Sequence, residues 1–214
     1  MRSDLERQAR EFAESVQNVL NATICTGIRI GVVSSADTKL VSIGYGVTGI
    51  CDTPALFPVS LGRKKPRCWL KVGYQLSLGT SRRFLTVAVS AFEVYAATGA
   101  QAPLCRFDYE RGKSGGYPEA HIQVHGESGA LAAWTGVPNT RELERLHLPM
   151  GGRRYRVTLE DVIEFLITEK LADTGGPHDR IITLAPVQAG RERFHEHRDV
   201  AGGRGFVDDL VVPL

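Results

Sequence analysis

Residues 68–78 read Cys-Trp-Leu-Lys-Val-Gly-Tyr-Gln-Leu-Ser-Leu, with an apolar side chain at every second position. Strict alternation places this apolar set on one face of a β-strand and the remaining residues on the other. We therefore predict a half-buried strand. Residues 84–96 follow after a turn and are rich in β-branched and aromatic residues, apolar on both faces toward the middle, which favours a central strand.

Further short β-type segments lie on both sides of this pair in the sequence. Residues 28–33 and 39–45 are separated by a turn-like Ser-Ser-Ala-Asp stretch, which predicts a hairpin. Residues 104–110 and 121–125 are two more candidate strands, separated by a loop that contains glycines and a proline. The expected sheet is an antiparallel meander of about four to six strands.

Two helices are predicted, one in each terminal region of the chain. Residues 3–6 form a capping-box pattern, and residues 5–20 carry an apolar stripe at helical spacing. Thr158 and Asp161 give a second capping signature, followed by an apolar stripe over residues 159–171. We expect both helices to cover one face of the sheet, which leaves the other face as the candidate working face.

These elements predict the α+β class, with an antiparallel β-meander sheet packed by an N-terminal and a C-terminal helix. The 214 residues, 43% hydrophobic and 23% charged, suit one domain of ordinary composition. We expect a single domain over residues 1–214, with its sheet core at about 28–126 and a helical C-terminal part at about 129–214. No apolar run reaches the length of a transmembrane helix, so we expect no membrane association and a cytoplasmic location.

Familiar cofactor and metal motifs are absent or stand in the wrong context. Residues 44–49 match GxGxxG, but prolines at 54 and 58 follow where a dinucleotide-binding motif needs a helix, so we interpret these glycines as turns or bulges within the sheet. The four cysteines contain no CxxC pair, which predicts buried thiols rather than a zinc site or a disulfide framework. We predict no cofactor and no metal.

Positive charge is concentrated in the middle of the chain, although the net charge is only +2. Residues 62–113 hold ten Lys and Arg against three Asp and Glu, and their densest cluster is Arg63, Lys64, Lys65 and Arg67. Such a block suits contact with phosphate groups. A solvated loop and a charged sheet edge explain the same residues without any ligand.

The stretch 121–125, His-Ile-Gln-Val-His, is the main candidate site. Alternation places His121, Gln123 and His125 on one face of the strand. A symmetric hairpin with the preceding strand makes three cross-strand pairs, namely Glu110 with His121, Asp108 with Gln123, and Arg106 with His125. In this register both faces agree in polarity, which favours the pairing.

These side chains suit phosphodiester chemistry without a metal. His121 or His125 would act as the general acid or base, oriented by Glu110 or Asp108, and the adjacent loop adds Tyr117 as a candidate catalytic residue. The Cα atoms of the two histidines would lie about 13 Å apart, so one histidine would act with other groups. The candidate ligand-binding residues are Arg106, Gln123, Lys113, Arg63, Lys64, Lys65 and Arg67.

The same strand resembles the signature of the histidine-triad nucleotide-binding proteins, which alternates three histidines with apolar residues. The resemblance covers only residues 121–127. Gln123 takes the place of the middle histidine, and Gly126 and Glu127 follow where that family has apolar residues. The catalytic assignment of the family is therefore not transferred to this chain.

Two classes of function remain open from the sequence. One is binding of RNA or a nucleotide, extended to hydrolysis by a metal-independent nuclease or phosphodiesterase. The other is a non-catalytic interaction protein or assembly subunit that binds a protein partner or forms a homo-oligomer. In the second class the polar strand face would be an ordinary solvated surface with cross-strand charge pairs.

Overall fold

The computed structural model describes residues 2–34, 39–50, 52–61, 65–79, 84–113, 117–126, 146–150 and 156–172. Over these residues the chain forms one antiparallel sheet of eight strands with two helices, which confirms the predicted α+β class. Of the predicted helical C-terminal part, only residues 146–150 and 156–172 are described. The extent of a single domain over the whole chain stays a prediction.

The strands follow one another across the sheet in nearly sequential order. Their bounds are β1 Ile30–Ser34, β2 Val41–Tyr45, β3 Phe57–Val59, β4 Cys68–Leu78, β5 Leu85–Tyr95, β6 Cys105–Glu110, β7 Ala120–Val124 and β8 Leu148–Pro149. The spatial order is β1-β2-β4-β5-β6-β7-β8, and β3 pairs with the first residues of β4. The strands β3 and β8 were not predicted, because both are very short and each contains a proline.

The two helices are α1, Arg2–Thr23, and α2, Leu159–Thr168. The predicted N-cap at Ser3 is wrong, because α1 begins at Arg2 and Ser3 lies within its first turn. The predicted capping box of α2 is confirmed. The Thr158 hydroxyl accepts from the Asp161 backbone N–H, and the Asp161 carboxylate accepts from the Thr158 backbone N–H at 2.8 Å.

Both helices pack on the same face of the sheet, here called the helix-side face. Phe12 of α1 makes an edge-to-face contact with Tyr74 of β4, which makes another with Phe92 of β5. Phe165 of α2 contacts Phe107 of β6 in the same way, with ring centroids 5.8 Å apart. The helices and these strands share one apolar core, so the opposite face, here called the outer face, is left for polar residues.

Three of the four cysteines contribute to this core. Cys25, Cys68 and Cys105 are buried free thiols, as predicted. Burial raises the pKa of the Cys25 and Cys68 thiols to about 12 and that of Cys105 to about 11. These thiols are therefore protonated and chemically quiet at neutral pH. Cys51 lies outside the described residues.

The glycines of the GxGxxG match have a packing role in the sheet. Gly44 of β2 pairs with Gly73 of β4, and Pro54 lies over both on the outer face. A Cβ atom added at either glycine would come within 2.8 Å of the Pro54 Cγ atom. Gly44 is thus part of a strand, and residues 52–56 cross the outer face at this point.

Candidate functional site

The register of the β6–β7 hairpin differs by two residues from the predicted one. Asp108 lies opposite His121, and Arg106 lies opposite Gln123. A shift of two residues leaves every side chain on its original face, so agreement in polarity cannot distinguish the two registers. The predicted face is right, but the predicted pairs are wrong. These pairs were Glu110 with His121, Asp108 with Gln123, and Arg106 with His125.

His121 is a buried imidazole, only 6% exposed, beside a carboxylate. Its Nδ1 atom is 3.0 Å from the Pro118 carbonyl oxygen, which can only accept, so Nδ1 carries a proton. Its Nε2 atom is 3.8 Å from Asp108 Oδ2. Burial raises the pKa of the Asp108 carboxyl, although the charges of Arg106 and His121 act in the opposite direction. Asp108 and Pro118 together fix the orientation of His121.

The second imidazole near His121 belongs to His147, which the sequence did not identify. The two ring centroids are 4.8 Å apart. His147 also stacks on Tyr117, with centroids 4.0 Å apart and planes 10° from parallel, and its Nε2 atom is 2.9 Å from Gln123 Nε2. This amide nitrogen is a donor, so the His147 Nε2 atom accepts. His147 lies in the site because the two residues that follow it form β8, which pairs with β7.

His125, the other predicted histidine, lies past the end of β7. Its backbone N–H donates to the Leu104 carbonyl oxygen at 2.9 Å, and both nitrogens of its ring are buried. Among the rings that the structure describes, those in contact with His121 are Tyr117 and His147. The structure therefore brings His121 together with His147 rather than with His125.

Tyr117 and Lys113 form the exposed side of the site. Tyr117 is 46% exposed, and the Lys113 Nζ atom lies 5.1 Å from the centroid of its ring. Lys113 also forms an ion pair with Glu110, the last residue of β6. Glu110 is thus a partner of Lys113 at the rim, away from its predicted place beside His121.

A row of paired charges continues from this site across the outer face. Arg106 Nη2 is 3.2 Å from Asp108 Oδ2, and Arg106 lies opposite Glu93 of β5. The Lys71 Nζ atom is 3.1 Å from Glu93 Oε2, and the Tyr95 hydroxyl donates to the same oxygen at 2.6 Å. Burial acts to raise the pKa of Glu93, but these two partners outweigh it and lower the pKa. The row carries charge without an excess of one sign.

The predicted basic cluster lies elsewhere. Arg63 and Lys64 are outside the described residues, whereas Lys65 and Arg67 are exposed just before β4. Arg67 Nη1 donates to the Lys170 carbonyl oxygen, just beyond α2, at 3.0 Å. Across the sheet, Gly73 of β4 is in line with Asp108 and His121. Arg67 precedes Gly73 by six residues, which corresponds to about 20 Å of extended chain. Lys65 and Arg67 are thus not brought to the histidines.

We call the assembled residues the outer-face cluster, which consists of Arg106, Asp108, Lys113, Tyr117, His121, Gln123 and His147. It offers two imidazoles, two cations, a carboxylate, an amide and an exposed phenol ring within one region of the sheet. Within the part of the chain that the structure describes, no three His, Cys, Asp or Glu side chains converge closely enough to hold a metal ion.

Comparisons with known proteins do not identify a family for this chain. No protein-family model, curated protein or solved structure matches the chain. Neither of the helices within the described ranges is long and apolar enough to cross a membrane. The side chains of the outer-face cluster are therefore the basis for assigning a function.

Proposed function

We propose that the outer-face cluster binds a phosphate-bearing ligand, namely RNA or a nucleotide. The observation that carries the proposal is the stack of Tyr117 on His147 with the Lys113 ammonium beside it. Exposed aromatic rings next to cations are the usual means by which proteins hold unpaired bases and the phosphates that join them.

The charges around the stack support the same proposal. Lys113 and Arg106 each have an acidic partner within the cluster, so neither needs a ligand to be stable. Both side chains remain partly exposed, and a phosphate can replace or share these partners, because arginine and lysine are strong donors to phosphate oxygens. Gln123, placed beside His147, supplies an amide for a base edge.

The two adjacent imidazoles favour an extension of the proposal to metal-independent cleavage of RNA. His147 is half-buried and is the histidine that would contact substrate, whereas His121 is buried behind it. His147 Nε2 would take the proton of a ribose 2′-hydroxyl in place of the Gln123 N–H that it accepts in the free protein, and the 2′-oxygen would form a bond to phosphorus. The bond from phosphorus to the 5′-oxygen would break as that oxygen takes a proton from a water molecule, which leaves a 2′,3′-cyclic phosphate, and His147 would then return its proton to the resulting hydroxide.

The test is binding of a short single-stranded RNA by the full chain, measured over a salt series, with cleavage followed on the same samples. We expect affinity to fall as salt rises, because phosphate contacts release counterions. Tyr117→Ala should weaken binding about fivefold or more, since stacking of one base contributes about 1–3 kcal/mol.

Phe84→Ala is the matched control, because Phe84 is 43% exposed and lies directly before β5, outside the cluster. This variant should bind as the wild type does. Absence of binding by the wild type at low salt, or equal losses in Tyr117→Ala and Phe84→Ala, would contradict the proposal. Cleavage lost in His125→Gln but kept in His147→Gln would move the acid–base group to His125.

A second candidate function is protein interaction, and a different observation favours it. Val124 and Leu148 are exposed apolar side chains near the β7–β8 edge of the sheet, and Leu148 is 48% exposed. Exposed apolar groups beside a sheet edge suit a protein partner or a homo-oligomer. If this edge associates, the wild type should sediment as an oligomer and Leu148→Glu as a monomer. A wild type that sediments as a monomer and binds no protein partner would contradict this second candidate function.

A further inference from the structure

A second aromatic pair lies on the outer face, away from the outer-face cluster. Trp69 of β4 lies directly opposite Tyr95 of β5 on one side and Pro58 of β3 on the other. Trp69 is half-buried and Pro58 is exposed, so solvent reaches this part of the face. The Lys71 Nζ atom lies 5.2 Å from the centroid of the Tyr95 ring. An aromatic ring beside a cation thus occurs here as it does in the outer-face cluster.

The two aromatic sites are too far apart for one nucleotide to contact both. Three strand spacings of about 4.8 Å separate β4 from β7. Trp69 lies four residues from Gly73, which is in line with His121 across the sheet. At about 3.3 Å per residue, the Cα atoms of Trp69 and His121 are therefore about 20 Å apart. A ligand that contacts both sites must contain several linked nucleotides.

The side chains between the two sites suit a phosphate backbone. The outer-face row that joins them consists of Lys71, Glu93 and Arg106, from β4, β5 and β6. The Arg106 side chain is 37% exposed, whereas those of Glu93 and Asp108 are 13% and 15% exposed. A phosphate that approaches this row would therefore meet the guanidinium before either carboxylate. Guanidinium groups hold phosphates by two-point contact.

This arrangement distinguishes between the two ligands considered above, RNA and a single nucleotide. Building on the proposed function, we propose that the outer face binds a single strand of RNA along a path from the stack of Tyr117 and His147, past Arg106, to Trp69, where a second base stacks. Sheet faces that carry aromatic residues are a common platform for unpaired bases, and cations beside them neutralise the phosphates. The path requires no particular base, since every base has a face that can stack.

The experiment compares two oligouridylates, a dinucleotide and an octanucleotide, that bind to the full chain at low salt. Titrations followed by nuclear magnetic resonance also record weak binding. Both probes reach the outer-face cluster, but only the octanucleotide is long enough to reach Trp69 as well. We expect Trp69→Leu to weaken binding of the octanucleotide about fivefold or more and to leave binding of the dinucleotide unchanged. Tyr117→Ala should weaken binding of both probes, and the control Phe84→Ala should weaken neither.

Fluorescence gives a readout that a merely structural role of Trp69 would not change. The chain has two tryptophans, Trp69 and Trp134, so a Trp134→Phe variant reports on Trp69 alone. A base stacked on the indole ring quenches its emission, so the octanucleotide should quench this variant and the dinucleotide should not. Trp69→Phe keeps an aromatic ring and should retain most of the octanucleotide affinity that Trp69→Leu loses.

The outcomes separate this inference from the proposed function. If Trp69→Leu binds the octanucleotide as the wild type does while Tyr117→Ala binds it weakly, the path is overturned and the proposed function is intact. Equal losses for both probes in Trp69→Leu, or octanucleotide binding without quenching, would also overturn the path. No binding of either probe by the wild type would overturn both proposals.

Discussion

On β4 and β5, Val72 and Phe92 are buried on the helix-side face, whereas their sequence neighbours Lys71 and Glu93 form an ion pair on the outer face. The same two strands thus carry two kinds of contact. The helix-side contacts are apolar and tolerate small changes of partner, because apolar burial is not directional. The outer-face contacts depend on particular partners at particular distances. We expect stability to depend most on the first face, and responses to pH and ligand on the second.

The largest effect should come from a deletion on the helix-side face. Phe92 is almost fully buried and its ring contacts that of Tyr74. Phe92→Ala should lower the free energy of unfolding by about 3–5 kcal/mol, because apolar contacts are lost and a cavity is left. Urea unfolding measures this change. A loss below about 1 kcal/mol would show that the packed core is not the main source of stability.

The ion pair of Lys71 and Glu93 should give the next largest effect, and one that depends on pH. Lys71→Met leaves a largely buried carboxylate without its cation and should cost about 2–3 kcal/mol near pH 7. The pKa of Glu93 is lowered in the folded chain, so its stabilising contribution is present above its ordinary pKa of 4.5 and is lost as the pH falls through the lowered value.

The loss caused by Lys71→Met should therefore shrink as the pH falls, because protonation of Glu93 removes the charge that Lys71 balances. Urea unfolding at about pH 7 and pH 3 compares the two conditions. Lys39→Met is the exposed control and should leave stability nearly unchanged at both. An equal loss for Lys71→Met at both pH values would show that Lys71 contributes through packing of its methylene groups instead.

The contact of Pro54 with the glycines gives a third test on the outer face. Gly73→Ala would place a Cβ atom 2.8 Å from Pro54 Cγ and should cost about 1–3 kcal/mol. The same substitution in a Pro54→Ala background should cost clearly less, because the atom that it meets is gone. A double-mutant cycle with no coupling would contradict the contact.

The smallest effect on stability is expected at the exposed rim. Tyr117→Ala should change the free energy of unfolding by less than about 1 kcal/mol, because the ring is 46% exposed. Thermal unfolding of this variant and of Phe84→Ala should give similar small shifts. A large destabilisation confined to Tyr117→Ala would show that the stack with His147 holds the β8 region in place and is mainly structural.

The sequence predicted the secondary structure and the faces of the sheet better than it predicted the contacts on the outer face. Alternation in residues 68–78 predicted β4 at its observed bounds, and the apolar stripe with Thr158 and Asp161 predicted α2, because both signals are local. The same alternation placed His121 and Asp108 on the outer face. It could not give their register, since a shift of two residues preserves the pattern on both faces.

His147 marks the limit of sequence reasoning at the site. It contacts Gln123 from 24 residues away, through a strand of two residues that includes a proline. No local pattern distinguishes such a histidine from a surface one. The length of β8 and its pairing with β7 depend on the tertiary fold, so its contribution to the site could not be predicted.

Nuclear magnetic resonance of the histidine and tyrosine rings tests most directly whether the outer-face cluster is a ligand site. An unlabelled oligouridylate would be added to the labelled full chain at about pH 6. We expect the largest changes in chemical shift at His147, His121 and Tyr117. Changes confined to the region of Lys65 and Arg67, or no change at the three rings at saturating ligand, would contradict it.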